Sequence, residues 1–397
     1  MSAAQPGGVP RLEDLPDLDG LRVLLRADFN VPMHDGAITD DLRIAAALPT
    51  IQWLRDRGGA VVVCSHFGRP KGEPDPRYSL APVAARLAEL LGVDVPLAPK
   101  VIGEVPSSME ASLTPGAVMM LENLRFEPGE TSDDPGLAVS LCAPIDVYVN
   151  DAFGACHRAH TSVVGPPRIV PSAAGRLLER EVQVLSGMLD EPKHPFVALL
   201  GGAKVSDKLG VIDALLKRCD TILVGGAMAF TFLVAQGHEV GDSLVEPDRI
   251  EDCKRLLATG RVQIPVDFVI AQQMTNTAPT RIVGAAGIPS GWKGLDIGPE
   301  SAAIFSDVVA EARMVLWNGP MGVFEMEPFA SGTKAVAHAV ADCHGFTIIG
   351  GGDSAAAVRQ FGLADQVDHV STGGGASLEL IESGDLPGLA ALRKGMV

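Results

Sequence analysis

The chain has no apolar stretch approaching the ~18 residues of a membrane-spanning helix, and no charged segment followed by a short apolar one at its start. These absences set the expectation of a soluble, cytoplasmic protein with no membrane partner. Positive charge is also in short supply: 32 Lys and Arg face 49 Asp and Glu, a formal net charge of −17. Nucleic acid and anionic surfaces reward a basic face, so neither is the expected partner, and a small anion would need a local cationic pocket. The six cysteines (Cys64, Cys142, Cys156, Cys219, Cys253 and Cys343) are far apart and include no CxxC pair, which points to reduced, structural thiols. Also missing are the phosphate-loop pattern GxxxxGK[ST] and any repeat with a period of roughly 20 to 50 residues, so a solenoid or propeller is excluded.

What is present is globular. Hydrophobic residues are 47% and charged residues 20%, and the 397-residue length exceeds what one core usually supports, so two domains are expected. Short runs rich in Val, Ile and Leu recur, each stopping near Gly, Asp or Asn: 21–26, 60–64, 117–121 and 145–149, then 196–200, 221–224, 266–270, 314–317, 346–349 and 367–370. Runs of this kind read as strands buried on both faces. Helical patterns such as 40–58 and 206–219 lie between many of them. Alternation of this sort predicts an α/β protein with two doubly wound, parallel-sheet, Rossmann-like lobes, binding ligands past the carboxyl ends of the strands. The long helical pattern in 173–195, ended by Pro192 and Pro195, is the expected connector between them.

In the first half, polar chemistry follows the apolar runs. RADFNVP brings Asp28 and Asn30 two apart, which predicts that they share one side of an extended segment. TDDLRI predicts a helix capped by Thr39 or Asp40 with Arg43 one turn in. SHFGRP offers His66 and Arg69, ENLRF offers Arg125, and NDAFGACHRAH offers His157, Arg158 and His160. Each alone reads as a solvated or capping residue. Together, Arg43, Arg69, Arg125 and Arg158 with His66 are expected to converge on one sheet rim, where arginine forks match carboxylate and phosphate oxygens. Asp28 and Asn30 would then accept from a substrate hydroxyl and hold the arginines apart.

In the second half the signals are glycine-rich. GGAKVSDK would let backbone approach an anion at a helix start, with Lys204 and Lys208 beside it. LVGGAMAF, WNGPMGVFE, GGGDSAAA and STGGGAS also follow apolar runs, and four or five such loops on one edge suit a nucleotide. Asp353, after three glycines and at a helix start, is a candidate ligand for Mg2+. GGGDSA (350–355) also satisfies the dinucleotide pattern GxGxxG/A, which leaves a nicotinamide-dependent dehydrogenase open, as does a non-catalytic nucleotide-binding scaffold.

The motifs RADFNVP, SHFGRP, ENLRF, NDAFGACHRAH, GGAKVSDK, WNGPMGVFE and GGGDSAA, in that order from near residue 9 to the C-terminus, resemble phosphoglycerate kinase. The resemblance implies a phosphoglycerate-binding lobe (1–174), onto which a tail (379–397) returns, a connector helix (175–190) and a nucleotide-binding lobe (191–378). It implies a monomer that exchanges a phosphoryl group between 1,3-bisphosphoglycerate and ADP, giving 3-phosphoglycerate and ATP, with Mg2+ on the nucleotide. Asp28, Phe29, Asn30, Arg43, His66, Arg69, Arg125, His157 and Arg158 would meet the phosphoglycerate. Gly202, Lys204, Lys208, Gly225, Gly294, Asn318, Pro320, Val323, Glu325, Gly351, Gly352, Asp353 and Ser354 would surround the nucleotide and metal, with Glu325 on the ribose. Ser354 stands where many members have threonine, and keeps the hydroxyl. An acyl phosphate needs no covalent nucleophile, and none is recognisable, so charge neutralisation would carry transfer, with Arg43, Lys204 and the amides near Gly351 and Gly352 in the leading roles. On this reading Lys204 meets the phosphoryl in flight and Lys208, one helical turn on, the resting phosphates.

Overall fold

Residues 8–395 are described in a computed structural model, so residues 1–7 and 396–397 of the expected first lobe and its tail lie outside it. The chain divides into two compact units, one running to Ser186 and resuming at Ser383, the other spanning Gly187–Glu382.

The first unit is built on five parallel strands: β1 (Arg22–Arg26), β2 (Ala60–Cys64), β3 (Val118–Met120), β4 (Val147–Asn150) and β5 (Ser172–Ala174), in the order β3-β2-β1-β4-β5. All five residues of β2, AVVVC, are buried, as a β-branched run covered on both faces should be. Its register against β1 pairs Val23 with Val61 and Leu25 with Val63, and these four side chains join Ile44, Ile51 and Leu54 of the helix Leu42–Arg55 and Val83 and Leu87 of the helix Ala81–Leu91 in one core. The C-terminal helix Pro387–Lys394 belongs to this unit. Leu389 and Leu392 are buried, and Gly388 N donates to Cys156 O at 2.9 Å. A Cβ at position 388 would come within 2.9 Å of Cys156 Sγ, so glycine is needed for this approach.

The second unit has six parallel strands: β6 (Phe196–Leu200), β7 (Thr221–Val224), β8 (Val262–Gln263), β12 (Met314–Asn318), β13 (Phe346–Gly350) and β14 (His369–Val370), in the order β8-β7-β6-β12-β13-β14. Between β8 and β12 the chain makes a separate sheet of β9 (Asp267–Ala271), β10 (Arg281–Gly284) and β11 (Lys293–Ile297), in the order β10-β9-β11. Helices Pro299–Ala310, Ser331–Ala341 and Gly352–Gln360 pack Phe305, Val309, Val336, Val340, Ala357 and Val358 against Val315, Trp317 and Ile349. Trp317 is fully buried and its Nε1 donates to Gly319 O at 2.8 Å, so the indole brings no unpaired polar group inside.

Each apolar run of the sequence becomes a strand, with one departure from the parallel expectation. The run at 266–270 lies in β9, which pairs antiparallel with both neighbours. No helix separates β9 from β10, and a direct return of the chain allows only antiparallel pairing there; β11 comes back to the other edge of β9 and pairs with it antiparallel as well. β5, β8, β10, β11 and the small hairpin Met33–His34/Ala37–Ile38 had no apolar run long enough to mark them. The connector pattern becomes the helix Arg176–Asp190. Its start is capped from β4: Asp151 Oδ1 accepts from Leu177 N at 2.9 Å and Leu178 N at 3.2 Å. The second helical pattern begins later than expected, at Leu209, because Ser206 is drawn aside: its N and Oγ donate to Glu246 at 3.1 and 2.6 Å.

Candidate active site

In the first unit the strand order reverses between β1 and β4, which places a crevice past their carboxyl ends. Asp28 lies two residues beyond β1. Its Oδ2 accepts from Arg43 Nη1 at 2.9 Å, and its Oδ1 from Asn30 N at 3.3 Å. Burial works against its charge, but the guanidinium groups of Arg43 and Arg26 hold the carboxyl below its ordinary value. Asn30 Oδ1 accepts from Gly68 N at 2.9 Å, which ties the β1 loop to the β2 loop and leaves the oxygen's second lone pair for a further donor. Arg43 is the second residue of its helix rather than one turn in; Asp41 stands at the boundary without a side-chain bond to it, and the expected Asp40 supplies the carboxylate, its Oδ1 accepting from Leu42 N at 2.9 Å. Phe29 buries its ring completely, and its N donates to Ser65 Oγ at 2.9 Å, which makes it a packing residue whose side chain does not reach the crevice.

Of the expected arginines, Arg69 and Arg158 lie about Arg125. Arg125 Nη1 donates to Gly68 O, while its Nε is buried without a partner. Arg158 Nε donates to His157 Nε2 at 3.0 Å. Arg69 is exposed and, among the described residues, carries no hydrogen bond or ion pair. Burial and the like charges of Arg26, Arg158 and Arg69 all weigh against the charge on Arg125. Cations from one strand end and three loops thus crowd one region, an arrangement that an external polyanion would relieve.

Sequence reasoning missed Arg26, the last residue of β1. It is fully buried, with Nε donating to Ser162 Oγ at 2.9 Å, Nη1 to Ala27 O, and Nη2 facing His66 Nδ1 at 3.1 Å. A buried arginine is tolerated only when its donors are met. The signal was an arginine closing an apolar run just before an aspartate, but its partners lie 40 and 136 residues away. Burial, aided by Arg26 and opposed by Asp28, drives His66 down to about 3, so the ring is neutral.

The second unit reverses its strand order between β6 and β12, and the loops there pack backbone against backbone. A Cβ on Gly201 would lie 2.0 Å from Pro320 O, and one on Gly319, whose φ is +95°, would lie 2.3 Å from Gly201 O. Only glycine fits at either place. The two lysines behave differently. Lys204 is exposed and, among the described residues, without a hydrogen bond, on a loop pinned by Ser206 to Glu246. Lys208 is buried, its Nζ donating to Asn318 O at 3.1 Å and also to Asn318 Oδ1. Desolvation drives it down to about 8 in spite of Asp353 and Asp207. The expectation that Lys208 lies one helical turn beyond Lys204 is corrected: turns separate them, Lys208 caps the helix Leu209–Leu215, and the loop's glycines are not at a helix start. The glycine-to-helix junction is instead at Gly351, which has φ +87° and stands before the helix Gly352–Gln360.

Around that junction, Gly352 and Asp353 are exposed. Ser354 is fully buried and its Oγ accepts from Gly319 N at 2.5 Å, so it links two loops while its O–H remains able to donate. Asn318 Nδ2 is buried without a partner, beside Gly351. Glu325 is exposed. Gly225 and Gly294 are close-packing positions, where a Cβ would meet Met321 Sδ at 2.3 Å and the Phe230 ring at 2.1 Å. Val323 N donates to Leu295 O at 2.9 Å, which ties the Pro320–Glu325 loop to β11.

The chemistry these groups can support is electrostatic. The thiols of Cys64 and Cys156 are pushed up to about 12 by burial, which removes them as nucleophiles at neutral pH. Among the described residues there is no group of three or more His, Cys, Asp or Glu that could cage a metal. The single exposed Asp353 fits Mg2+, which commonly uses one or two carboxylates and completes its shell with phosphate oxygens and water.

The comparisons with known proteins agree over nearly the whole chain. The family model described as phosphoglycerate kinase matches residues 12–384. A curated phosphoglycerate kinase of Rubrobacter xylanophilus is 55% identical over 379 residues, 95% of this chain and 96% of that protein. The structure of phosphoglycerate kinase from Coxiella burnetii superposes with a TM-score of 0.87 at 37% identity, covering 98% of this chain and 99% of that one. The crystal structure of the Pyrococcus horikoshii enzyme gives 0.86 at 33% identity, covering 97% and 99%.

Proposed function

The chain belongs to the phosphoglycerate kinase family, and from that premise we propose how its residues divide the reaction. The enzyme is a phosphotransferase that moves a phosphoryl group reversibly between 1,3-bisphosphoglycerate and ADP, giving 3-phosphoglycerate and ATP in glycolysis. Membership removes the dehydrogenase alternative that GGGDSA had left open.

In the proposal the phosphoglycerate lies in the first lobe (1–174 with the tail 379–397), against Arg43, His66, Arg69, Arg125, His157 and Arg158, with Asp28 and Asn30 holding the loops that carry them. The observation that carries this reading is the crowding of like charge about Arg125, which an anion with both phosphate and carboxylate groups would neutralise. The nucleotide lies in the second unit (191–378). There Lys204 and the amides of Gly351 and Gly352 face the phosphates, Glu325 takes the ribose, and Gly202, Gly225, Gly294, Asn318, Pro320 and Val323 shape the cradle. Lys208 reaches phosphate by exchanging Asn318 for a charged acceptor, a change favoured by the strain that burial puts on its charge.

Asp353 would hold Mg2+ together with nucleotide phosphates, and the bound ion would offset phosphate charge. During transfer negative charge spreads over the moving phosphoryl oxygens, and Arg43 and Lys204 are the residues assigned to meet it. Water must be excluded or hydrolysis competes, so the connector (175–190) is proposed to let acyl phosphate and ADP meet out of solvent. The enzyme is proposed to act as a cytoplasmic monomer. No helix among the described residues is long and apolar enough to cross a membrane, and the net charge disfavours nucleic acid.

The test is an assay of ATP with 3-phosphoglycerate, with and without Mg2+. ADP should form only when all three are present. ADP formation that ignores 3-phosphoglycerate would remove the reaction assigned to this chain, and ATP binding with no turnover would favour the scaffold.

A further inference from the structure

Behind the arginine rim lies a carboxylate that the reaction as described does not use. Glu130, in the short segment Pro128–Ser132, is fully buried. Its Oε2 accepts from Ser162 N at 3.0 Å and its Oε1 from Ser162 Oγ at 2.6 Å. A serine hydroxyl has one proton to give. With that proton committed to Glu130, the lone pairs of Ser162 Oγ face Arg26 Nε–H at 2.9 Å. Held there, Arg26 directs Nη1 to Ala27 O and Nη2 to His66 Nδ1, the latter at 3.1 Å. A guanidinium only donates, so His66 Nδ1 must accept and the ring proton of neutral His66 must sit on Nε2. Asp28 Oδ1 is 4.0 Å from the same Nδ1, too far to compete, and stays with Asn30.

The chain of bonds therefore runs from the loop after β3, through the loop after β4, to the end of β1 and then of β2. Each donor along it has one acceptor, and each acceptor's orientation depends on the bond before it. Burial raises the Glu130 carboxyl, while Arg26, the two Ser162 donors and Arg125 work to keep it ionised. His160 Nδ1 lies 3.9 Å from Glu130 Oε1, beyond hydrogen-bond range.

We propose that Glu130 is a positioning residue for the phosphoglycerate site: through Ser162 and Arg26 it determines which nitrogen of His66 carries the proton, leaving Nε2–H as the donor the ring offers to an oxygen of the substrate. The proposal rests on the assignment of His66 to the substrate. Glutamine in place of Glu130 can accept from only one of the two Ser162 donors and sets its own amide against the other, so the serine hydroxyl can no longer be held in place.

The experiment is Glu130→Gln in the full-length enzyme, with steady-state kinetics and 15N NMR of histidine-labelled protein at neutral pH. The expected result is a KM for 3-phosphoglycerate raised by about tenfold, the loss of roughly one well-placed hydrogen bond. KM for ATP should change by less than about twofold, since a local first-unit lesion leaves second-unit uniform binding intact. The His66 nitrogen shifts should move from a pure Nε2–H pattern towards a mixture of tautomers. Glu130→Asp, which keeps both acceptor oxygens, should restore part of the KM. If Glu130→Gln does not fold, Ser162→Ala breaks the same link without adding a buried donor and should give the same two signatures. A folded variant with wild-type KM for 3-phosphoglycerate, or with an unchanged Nε2–H pattern, overturns the proposal. If the tautomer changes, KM does not, and His66→Ala also leaves KM unchanged, the fault lies in assigning His66 to the substrate.

Discussion

Replacing Arg43 with alanine separates stability from catalysis, because the structure predicts very different sizes for the two effects. The Arg43 side chain is 35% exposed and its single ion pair is with Asp28, at 2.9 Å. A partly exposed pair of this kind contributes about 1 kcal/mol or less to stability. Asp28 keeps the Asn30 N–H and the neighbouring Arg26 charge, so no bare buried carboxylate is left behind. A unit of some 200 residues should then lose only about 2 to 4 °C of melting temperature. Catalysis should suffer more. Removing one preorganised charge donor from a developing oxyanion costs about 3 to 4 kcal/mol, or roughly 10²- to 10³-fold in kcat. The assay is ATP consumption in saturating 3-phosphoglycerate and Mg2+, with KM for MgATP expected to stay within about twofold because no nucleotide contact is assigned to Arg43. A kcat within about threefold of the unsubstituted enzyme would remove Arg43 from the transfer step. A drop in melting temperature above about 10 °C would show the ion pair to be structural and refute the energetic argument.

Three further outcomes are expected. Arg69→Ala should leave the melting temperature unchanged, since Arg69 is exposed and unpaired among the described residues, yet weaken 3-phosphoglycerate binding by about tenfold in calorimetric titration; unaltered affinity removes it from the rim. Gly201→Ala should destabilise the second unit by about 1 to 3 kcal/mol in urea unfolding, because its Cβ would lie 2.0 Å from Pro320 O on an unyielding backbone; an unshifted midpoint contradicts the close packing. Burial lowers Lys208 to about 8 in the folded state, below the 10.5 of a solvated lysine, so the folded state binds fewer protons than the unfolded one between those values and this residue's contribution to stability rises with pH. Relative to Lys208→Met, the unsubstituted enzyme should gain about 2 kcal/mol between pH 8 and 9.5, and a flat difference would mean that Lys208 is not desolvated.

The sequence by itself determined the long buried strands and which polar residues follow them. Continuous Val, Ile and Leu runs can only be satisfied by burial on both faces, which is why AVVVC and FVALL became strands with all five residues buried. Arginines in the loops after such runs are carried to one edge by the parallel arrangement itself, so the grouping of Arg69, Arg125 and Arg158 was legible in the sequence. What local pattern did not reveal was the partner of each group. Arg26 looked like the end of a strand until Ser162, 136 residues later, was brought to its Nε. Lys204 and Lys208 stand four apart in one segment, yet one is exposed and the other is bonded to Asn318, 110 residues away. Ser354 kept its hydroxyl, and the structure adds a bond from Gly319 N to its oxygen, 35 residues away in the chain. β9 looked like its parallel neighbours, and only the direct return of the chain made it antiparallel. Strand and helix formation depends on residues within a few positions, where sequence is close to a complete description. Burial of a charge and direction of a proton depend on which distant loops meet, and that is decided only when the sheet closes its strand order around β1 and β6.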